Sequence, residues 1–371
     1  MEIIGIIGEY NPFHNGHIYH IQKIKEKYPE SLIVLILNGY FLERGEISIL
    51  NKENKTKIAL DNNVDIIIEL PFVFGSNSAD IFADTSVSLL NMMGVNKIIF
   101  GSESNNIENL SSIAYSQLSD DFNIKVKSHL KEGFNYPTAL NKAIGINIDK
   151  PNDLLGVSYI KSILKNNFNI SAESIQRTND YHDTKDDCEI ISATNIREKL
   201  KNNINVNKYT SYSHLFNKIN EELLFNLLKY KINTDSNLSQ YLSVDEGIEY
   251  KLIKEINIAE DINDLILKIK SKRYTYNRIR RMLIHILIGL TKEEKENLKL
   301  EYIKILGFNN KGQKYISKIK SSINIPIGRK ISDKFTAQKY ELKASFVYDM
   351  ITKDNTYLFE VSNKPITKVD C

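Results

Sequence analysis

The segment Gly8-Glu9-Tyr10-Asn11-Pro12-Phe13-His14-Asn15-Gly16-His17 decides the fold. Residues 3–7, just before it, form an Ile-rich apolar run of strand length, as expected of a strand buried on both faces. Residues 16–27, just after it, have the length and pattern of a helix. A strand that passes through a turn into a helix start presents free backbone N–H groups and the positive end of the helix dipole, a natural seat for phosphate. Gly16 permits close backbone approach. The imidazoles of His14 and His17 can donate hydrogen bonds to phosphate oxygens as charge grows on a departing pyrophosphate, with no covalent nucleophile required. A lone histidine is more often a satisfied structural residue; its place after the first strand is what favours the phosphate reading.

Working outward, the short Ile- and Val-rich runs at 32–37, 65–70 and 97–100 alternate with helical stretches at 52–62 and 79–93. A further strand fits 169–176, after a helix at 153–165. Alternation of this kind predicts an α/β fold with a Rossmann-like parallel sheet and right-handed crossovers. Ligands on such sheets bind at the carboxyl ends of the strands. Here those ends carry Gly8-Glu9-Tyr10, Asn38-Gly39, Pro71-Phe72, Gly101-Ser102-Glu103 and Arg177-Thr178.

A second segment, Ile191-Ser192-Ala193-Thr194-Asn195-Ile196-Arg197, carries another helix start. Ser192 or Thr194 can cap it, its amides can face phosphate, and Arg197 supplies a fixed cation. Alone it is an ordinary cap, but the two segments together are specific.

The 371 residues exceed the range in which one core keeps growing, so two domains are expected. Glycine thins out after about residue 200, and amphipathic stretches follow at 213–230, 244–256, 261–269 and 274–290, with Thr291 to Glu294 at capping-box spacing. The division predicted is a catalytic domain over 1–205 and a mainly helical, basic domain over 206–371. The net charge of +3 conceals −7 in residues 1–200 and +10 in residues 201–371, and residues 268–343 alone carry +14. A basic block of this size suggests a polyanionic partner. Lys272-Arg273-Tyr274-Thr275-Tyr276-Asn277-Arg278-Ile279-Arg280-Arg281 interleaves cations with tyrosines, a pattern suited to phosphate contacts and base stacking; Lys311, Lys314, Lys318 and Lys320 add to it.

Hydrophobic residues at 42% and charged residues at 26% describe a globular chain, no apolar run approaches bilayer length, and a cytoplasmic protein is expected. Cys188 and Cys371 offer neither a disulfide framework nor a metal cluster. His14, His17 and His20 lie in a Gly-containing turn rather than at i and i+4 on one helix face, which argues against zinc. No metal site and no obligate protein partner is expected.

The paired segments resemble the signature of the nucleotidylyltransferase superfamily, an H-x-G-H turn with a later I-S-x-T-x-x-R helix start on a Rossmann-like sheet. The resemblance implies that His14 and His17 stabilise the transition state at the α-phosphate of ATP. It implies that Ser192, Thr194 and Arg197 hold the β and γ phosphates. With Arg44-Gly45-Glu46, Glu69-Leu70-Pro71, Phe100 to Glu103, Pro151-Asn152, Tyr181-His182-Asp183 and Lys272 to Thr275, the chain is similar to the bacterial tRNA(Met) cytidine acetate ligase family from residue 3 to about 343. That family activates acetate as acetyl-adenylate, releasing pyrophosphate, and acetylates N4 of the wobble cytidine of elongator tRNA(Met).

By this resemblance ATP contacts fall on Ile7, Gly8, Glu9, Tyr10, Asn11, Pro12, Phe13, His14, Asn15, Gly16, His17, Ile18, Tyr19 and His20, with Gly101, Asn152, Arg177 and Ser192. His14, His17, Thr194 and Arg197 are the expected catalytic set, and Mg2+ is expected to travel on the ATP phosphates. The tRNA falls on Lys272, Arg273, Arg278, Arg280, Arg281, Lys311 and Lys314. Lys52 and Lys55 are candidates to reach the phosphates; the family often has Arg in place of Lys55 and Pro in place of Ile47. Glu9 and Asp183 are candidate bases for acetyl transfer by location alone. The alternative is a small-molecule nucleotidylyltransferase, which would use both phosphate segments but leave the basic half without a role. A non-catalytic RNA-binding protein with a relic pocket is a further possibility.

Overall fold

The computed structural model describes residues 1–145, 149–178, 189–328, 334–362 and 364–368. The first half is built of β1 (Ile3–Gly8), α1 (Asn15–Lys27), β2 (Leu32–Asn38), α2 (Lys52–Asp61), β3 (Ile66–Leu70), α3 (Phe72–Gly75), α4 (Ala79–Met92) and β4 (Lys97–Ser102). Three helices follow, α5 (Ile107–Ser116), α6 (Asp120–Lys131) and α7 (Tyr136–Ile144), then α8 (Pro151–Lys165), β5 (Ser171–Gln176) and α9 (Ala193–Lys201). The second half runs through α10 (Glu221–Thr234), α11 (Ile248–Ile256), α12 (Ile262–Ile269), α13 (Tyr276–Ile288) and α14 (Lys292–Asn297). It closes with β6 (Ile303–Asn309), α15 (Asn310–Ile319), β7 (Ile327–Gly328), α16 (Thr336–Thr352), α17 (Thr356–Ser362) and β8 (Ile366–Lys368).

β5, β4, β1, β2 and β3 lie side by side and parallel, in that order. The chain fills β1 to β3 in one direction and then returns to the far side of β1 with β4. The switch point therefore lies between β1 and β4, and the crevice beyond their carboxyl ends is the expected ligand seat. Alternate residues of β2 serve opposite faces. Leu32, Val34 and Ile36 join one apolar cluster with α4, α8 and α10 to α13, while Ile33, Leu35 and Leu37 join the other with α1 and α2. Burial on both faces is why these strands read as unbroken apolar runs.

The second half contributes to the same sheet. β6 pairs antiparallel with β3, through Ile66 with Phe308 and Ile67 with Gly307, and β7 and β8 pair parallel with β6. The reversal places the start of α15 at the amino ends of the parallel strands, away from the switch-point crevice. Thr291 caps α14 as its spacing predicts, accepting the Glu294 amide.

Candidate active site

His14 is the N-cap of α1, a position usually held by Ser, Thr, Asp or Asn. Its Nδ1 accepts the Gly16 amide at 3.0 Å, and its own amide donates to His17 Nδ1 at 3.2 Å. Each neutral ring thus uses Nδ1 as an acceptor and carries its proton on Nε2. A Cβ at position 16 would sit 2.7 Å from His14 Cε1, so Gly16 makes room for the imidazole of its own turn. The helix amide at Gly16 is spent on that imidazole, and the anion-binding capacity of the turn passes to the ring N–H groups. The rings lie 4.0 Å apart between centroids, and Tyr10 and Phe13 pack on His17 at 4.6 and 5.4 Å.

Burial, with the nearby Arg177 and Arg197 cations, holds His14 down to about 3. Burial, then His14, holds His17 well below the usual imidazole range, and burial with Arg177 brings His20 to about 4. All three rings are therefore neutral near pH 7 in the free protein. Neutral, with Nδ1 already accepting, the His14 and His17 rings can offer Nε2–H to a ligand but no positive charge.

The second segment is stitched to the first. Ser192 caps α9, accepting the Asn195 amide at 3.2 Å. Arg197 donates to the Asn11 carbonyl at 2.5 Å and to Thr194 Oγ1 at 3.3 Å, and pairs with Glu46 at 2.8 Å. Asn15 donates to the carbonyls of Glu189 and Lys208, and Thr210 to that of Phe13. These bonds bring residues nearly two hundred positions apart to one cleft of about 250 Å³ at the switch point.

Ile7, Gly8, Glu9, Tyr10, Asn11, His14, Gly16, His17, Tyr19, His20, Gly101, Asn152, Arg177, Ser192, Thr194 and Arg197 line the cleft. Pro12, Phe13, Asn15 and Ile18 are absent from its lining. Phe13 is fully buried in the core, Ile18 packs against the same cluster, and Asn15 is spent on the carbonyls just named. Asn152 and the α8 start are held by the Glu103 carboxylate, which accepts the Asn152 amide at 3.1 Å and its side-chain Nδ2 at 2.6 Å.

Lys52 and Lys55 do not reach the cleft. Both are fully buried: Lys55 Nζ donates to the Asn38 and Gly39 carbonyls, and Lys52 Nζ lies 2.5–2.6 Å from Glu69, Glu341 and Glu360. Among the described residues those three glutamates are a group that could converge on a metal ion, and the Lys52 ammonium stands in their midst.

Glu43 and Glu46 also line the cleft; Glu46 belongs to the Arg44-Gly45-Glu46 segment of the family resemblance, whereas nothing in the sequence singles out Glu43. Their loop is anchored where Glu9 Oε1 accepts the Asn38 side chain at 2.9 Å and the Glu43 amide at 2.7 Å. Arg281 of α13 meets Glu43 at 3.2 Å and Arg280 meets Glu46 at 3.8 Å. Gly45, at φ +72°, packs its Cα against the α13 backbone; a Cβ there would lie 2.6 Å from the Arg281 nitrogen. The basic helix therefore abuts the rim of the cleft. Arg278 stacks over Tyr274 at 4.0 Å and faces Asp245, Arg273 pairs with Glu246, and Lys272 is exposed. Lys311, by contrast, donates to the carbonyls of Glu30 and Ser31 at the foot of β2, and exposed Lys314 lies on the same helix. Tyr181, His182, Asp183, Cys188 and Cys371 lie outside the described residues.

Comparison with known proteins places this geometry in a family. Residues 1–362 match the family described as HIGH Nucleotidyl Transferase. The tRNA(Met) cytidine acetate ligase of Clostridium novyi (strain NT) is 37% identical, with 99% of each chain covered. That of Bacillus subtilis (strain 168) is 34% identical over 94% of this chain and 92% of its own. The chain belongs to the tRNA(Met) cytidine acetate ligase family. A crystal structure of Thermotoga maritima TmcAL bound with alpha-thio ATP covers both chains completely at 27% identity, with a TM-score of 0.86; the apo form gives 0.88 at 28%. The ligase family's α/β nucleotidyltransferase fold is the one described above. Among the described residues no helix is long and apolar enough to cross a membrane.

Proposed function

We propose that the chain is an ATP-dependent ligase that joins acetate to N4 of the wobble cytidine of elongator tRNA(Met) by way of acetyl-adenylate. The observation that carries this reading is the meeting of the His14–His17 turn with the Thr194–Arg197 helix in one cleft against which the basic helix α13 is packed. A small-molecule nucleotidylyltransferase would need the two phosphate segments but not the basic helix on their rim.

Acetate is a poor acyl donor because its leaving group would be oxide. In the first step an acetate oxygen attacks the α-phosphorus in line with departing pyrophosphate, and the P–O bond to the β-phosphate breaks. The His14 and His17 Nε2–H donors face that growing charge, and Thr194, Arg197 and Arg177 supply hydrogen bonds and cations to the phosphates. In the second step cytidine N4 attacks the acetyl carbonyl, AMP leaves, and N4 gives up a proton. Mg2+ fits as a passenger of the triphosphate, since Glu46 in the cleft is paired with arginine and Glu9 Oε1 holds two donors.

Functionally, residues 1–205 supply the ATP site and 206–371 the RNA surface, with Lys272, Arg273 and Arg278 its outer part and Arg280 and Arg281 its inner edge. A tRNA substrate puts the work in the cytoplasm. The test is mass spectrometry of tRNA(Met) after incubation with the protein, ATP and labelled acetate. One labelled acetyl group on the wobble cytidine is expected. Pyrophosphate exchange into ATP that acetate does not stimulate, with or without tRNA, would instead favour the small-molecule reading.

A further inference from the structure

Glu46 stands between two cations that serve different substrates. On one side is Arg197 of the second phosphate segment, 2.8 Å away; on the other is Arg280 of the basic helix, 3.8 Å away. Its side chain is three-quarters buried, at 25% exposure, and its loop is fixed at one end by Glu9 and at the other by the contact of Gly45 with α13. The carboxylate can shift between the two arginines but cannot follow either of them away.

We propose that Glu46 is a positioning residue that orders the two half-reactions by making triphosphate binding and RNA docking compete; the proposal rests on the ligase reading above. With the cleft free of phosphate, Glu46 neutralises Arg197. When the β and γ phosphates take Arg197, Glu46 turns to Arg280 and masks it from RNA phosphate. Occupation of both arginines by phosphate would strand the Glu46 carboxylate between two anions in a poorly solvated rim, which costs free energy. Adenylation removes the conflict, because pyrophosphate carries the β and γ phosphates out of the cleft. Arg197 then recovers Glu46, Arg280 is released, and the RNA backbone can settle at the rim while acetyl-adenylate, which has only the α-phosphate, waits beneath it. The order protects the mixed anhydride as well, since the cytidine approaches only after the anhydride exists. The coupling is reciprocal: RNA held at Arg280 must weaken triphosphate binding by the same factor.

The experiment measures the dissociation constant of tRNA(Met) with the cleft loaded either by a non-hydrolysable ATP analogue or by a non-reactive acetyl-adenylate analogue. For the wild type, the triphosphate is expected to weaken tRNA binding on the order of fivefold or more relative to the adenylate analogue. In Glu46→Gln, which keeps the shape and removes the charge, the two values should coincide. Arg280→Gln should also abolish the difference, while weakening tRNA binding in both states. A wild type with no difference, or a Glu46→Gln variant that keeps it, overturns the proposal. A wild-type control that leaves the cytidine unacetylated overturns the ligase reading itself, and this proposal with it.

Discussion

Lys52 Nζ meets a Glu360 carboxylate oxygen at 2.6 Å inside the protein, across 308 residues of sequence. Glu69, Glu341, Lys304 and Tyr40 complete the cluster, and Tyr40 donates to Glu360 at 2.7 Å. The cluster thereby ties α17, near the end of the chain, to the start of the 40–47 loop at the cleft. The two lysines hold Glu360 down to about 2, whereas burial pushes Glu341 up to about 7. Burial thus sets Glu341 apart from Glu360, which the two lysines hold ionised. Glu360→Gln is expected to cost about 3 kcal/mol or more, because a buried lysine loses its partner. Glu341→Gln is expected to cost about 1 kcal/mol. Urea denaturation at pH 7 measures both, and equal losses would contradict the difference between the two carboxyls.

His14→Ala and His17→Ala are each expected to lower the rate of acetyl-adenylate formation by roughly 10²–10³, the loss typical of one preorganised donor, with the KM for ATP little changed. Both rings are neutral well below pH 6.5 in the free protein, so kcat/KM should show no limb near the ordinary imidazole value. Glu43 is different: burial, only partly offset by Arg281, pushes it up to about 7. A limb near pH 7 should therefore vanish in Glu43→Gln. Acetate-dependent pyrophosphate exchange from pH 5.5 to 8.5 makes the measurement, and a limb that persists in that variant would return the titration to a histidine.

Stability should fall as pH drops from about 6.5 toward 5. His14, His17, His20 and His285 are all held below the ordinary histidine value in the folded chain, chiefly by burial. Unfolding lets each take up a proton in this window, which favours the unfolded state on acidification. Glu43 and Glu341, raised to about 7, act the other way: folded, they keep protons that the unfolded chain has released. Four against two leaves a net uptake of about two protons, or a slope of about 3 kcal/mol per pH unit at most. Denaturant midpoints at half-unit pH steps read it directly. A midpoint that rises on acidification would mean the histidines are not buried as neutral groups.

Much of the site was legible because it rests on local sequence. The His14–His17 turn and the Ser192 cap are set by neighbours within three residues, and β1 to β4 announce themselves as apolar runs, whereas β5 at the sheet edge is mostly polar. What the sequence concealed depends on distant pairing. β6 pairs antiparallel with β3 although it lies beyond the five helices α10 to α14, and α6 and α7 have a small cluster of their own around Phe122, Val126 and Ala139. Lys52 and Lys55 look like phosphate ligands on a helix after a strand, and only the three-dimensional fold shows their ammonium groups turned inward to glutamates and carbonyls. Glu46 sits in the Arg44-Gly45-Glu46 segment, but its placement at the cleft beside Arg280, like that of Glu43 beside Arg281, depends on α13 packing against Gly45.

That packing makes Gly45→Ala informative. Position 45 adopts φ +72°, and the added Cβ would lie 2.6 Å from the Arg281 nitrogen and 2.7 Å from the Arg280 carbonyl carbon, both backbone atoms that cannot swing aside. The strain of the left-handed conformation alone is about 1–2 kcal/mol. The loop should lift away from α13, weakening tRNA acetylation more than acetate-dependent exchange, because the histidine turn and Arg197 keep their other bonds. Parallel assays of the two half-reactions test this, and equal loss in both would place the loop inside the adenylation step.

The salt dependence of tRNA binding should divide the basic residues into two groups. Lys272 and Arg273, exposed just before α13, and the partly exposed Arg278 in its first turn lie on the amino-terminal side of Arg280 and Arg281. Each phosphate they neutralise contributes roughly 0.7–0.9 to the slope of log affinity against log salt. Replacing the three by Gln should therefore flatten that slope by about 2. Lys311 is tied to the Glu30 and Ser31 carbonyls at the opposite end of the sheet, with Lys314 one turn further along the same helix. A tRNA whose wobble cytidine is in the cleft can reach that end only by wrapping the sheet edge, so the Lys311→Gln, Lys314→Gln double variant should leave the slope unchanged. Filter binding from 50 to 300 mM salt separates the two outcomes; a flattened slope in the double variant would show that the RNA path runs around the molecule rather than along α13.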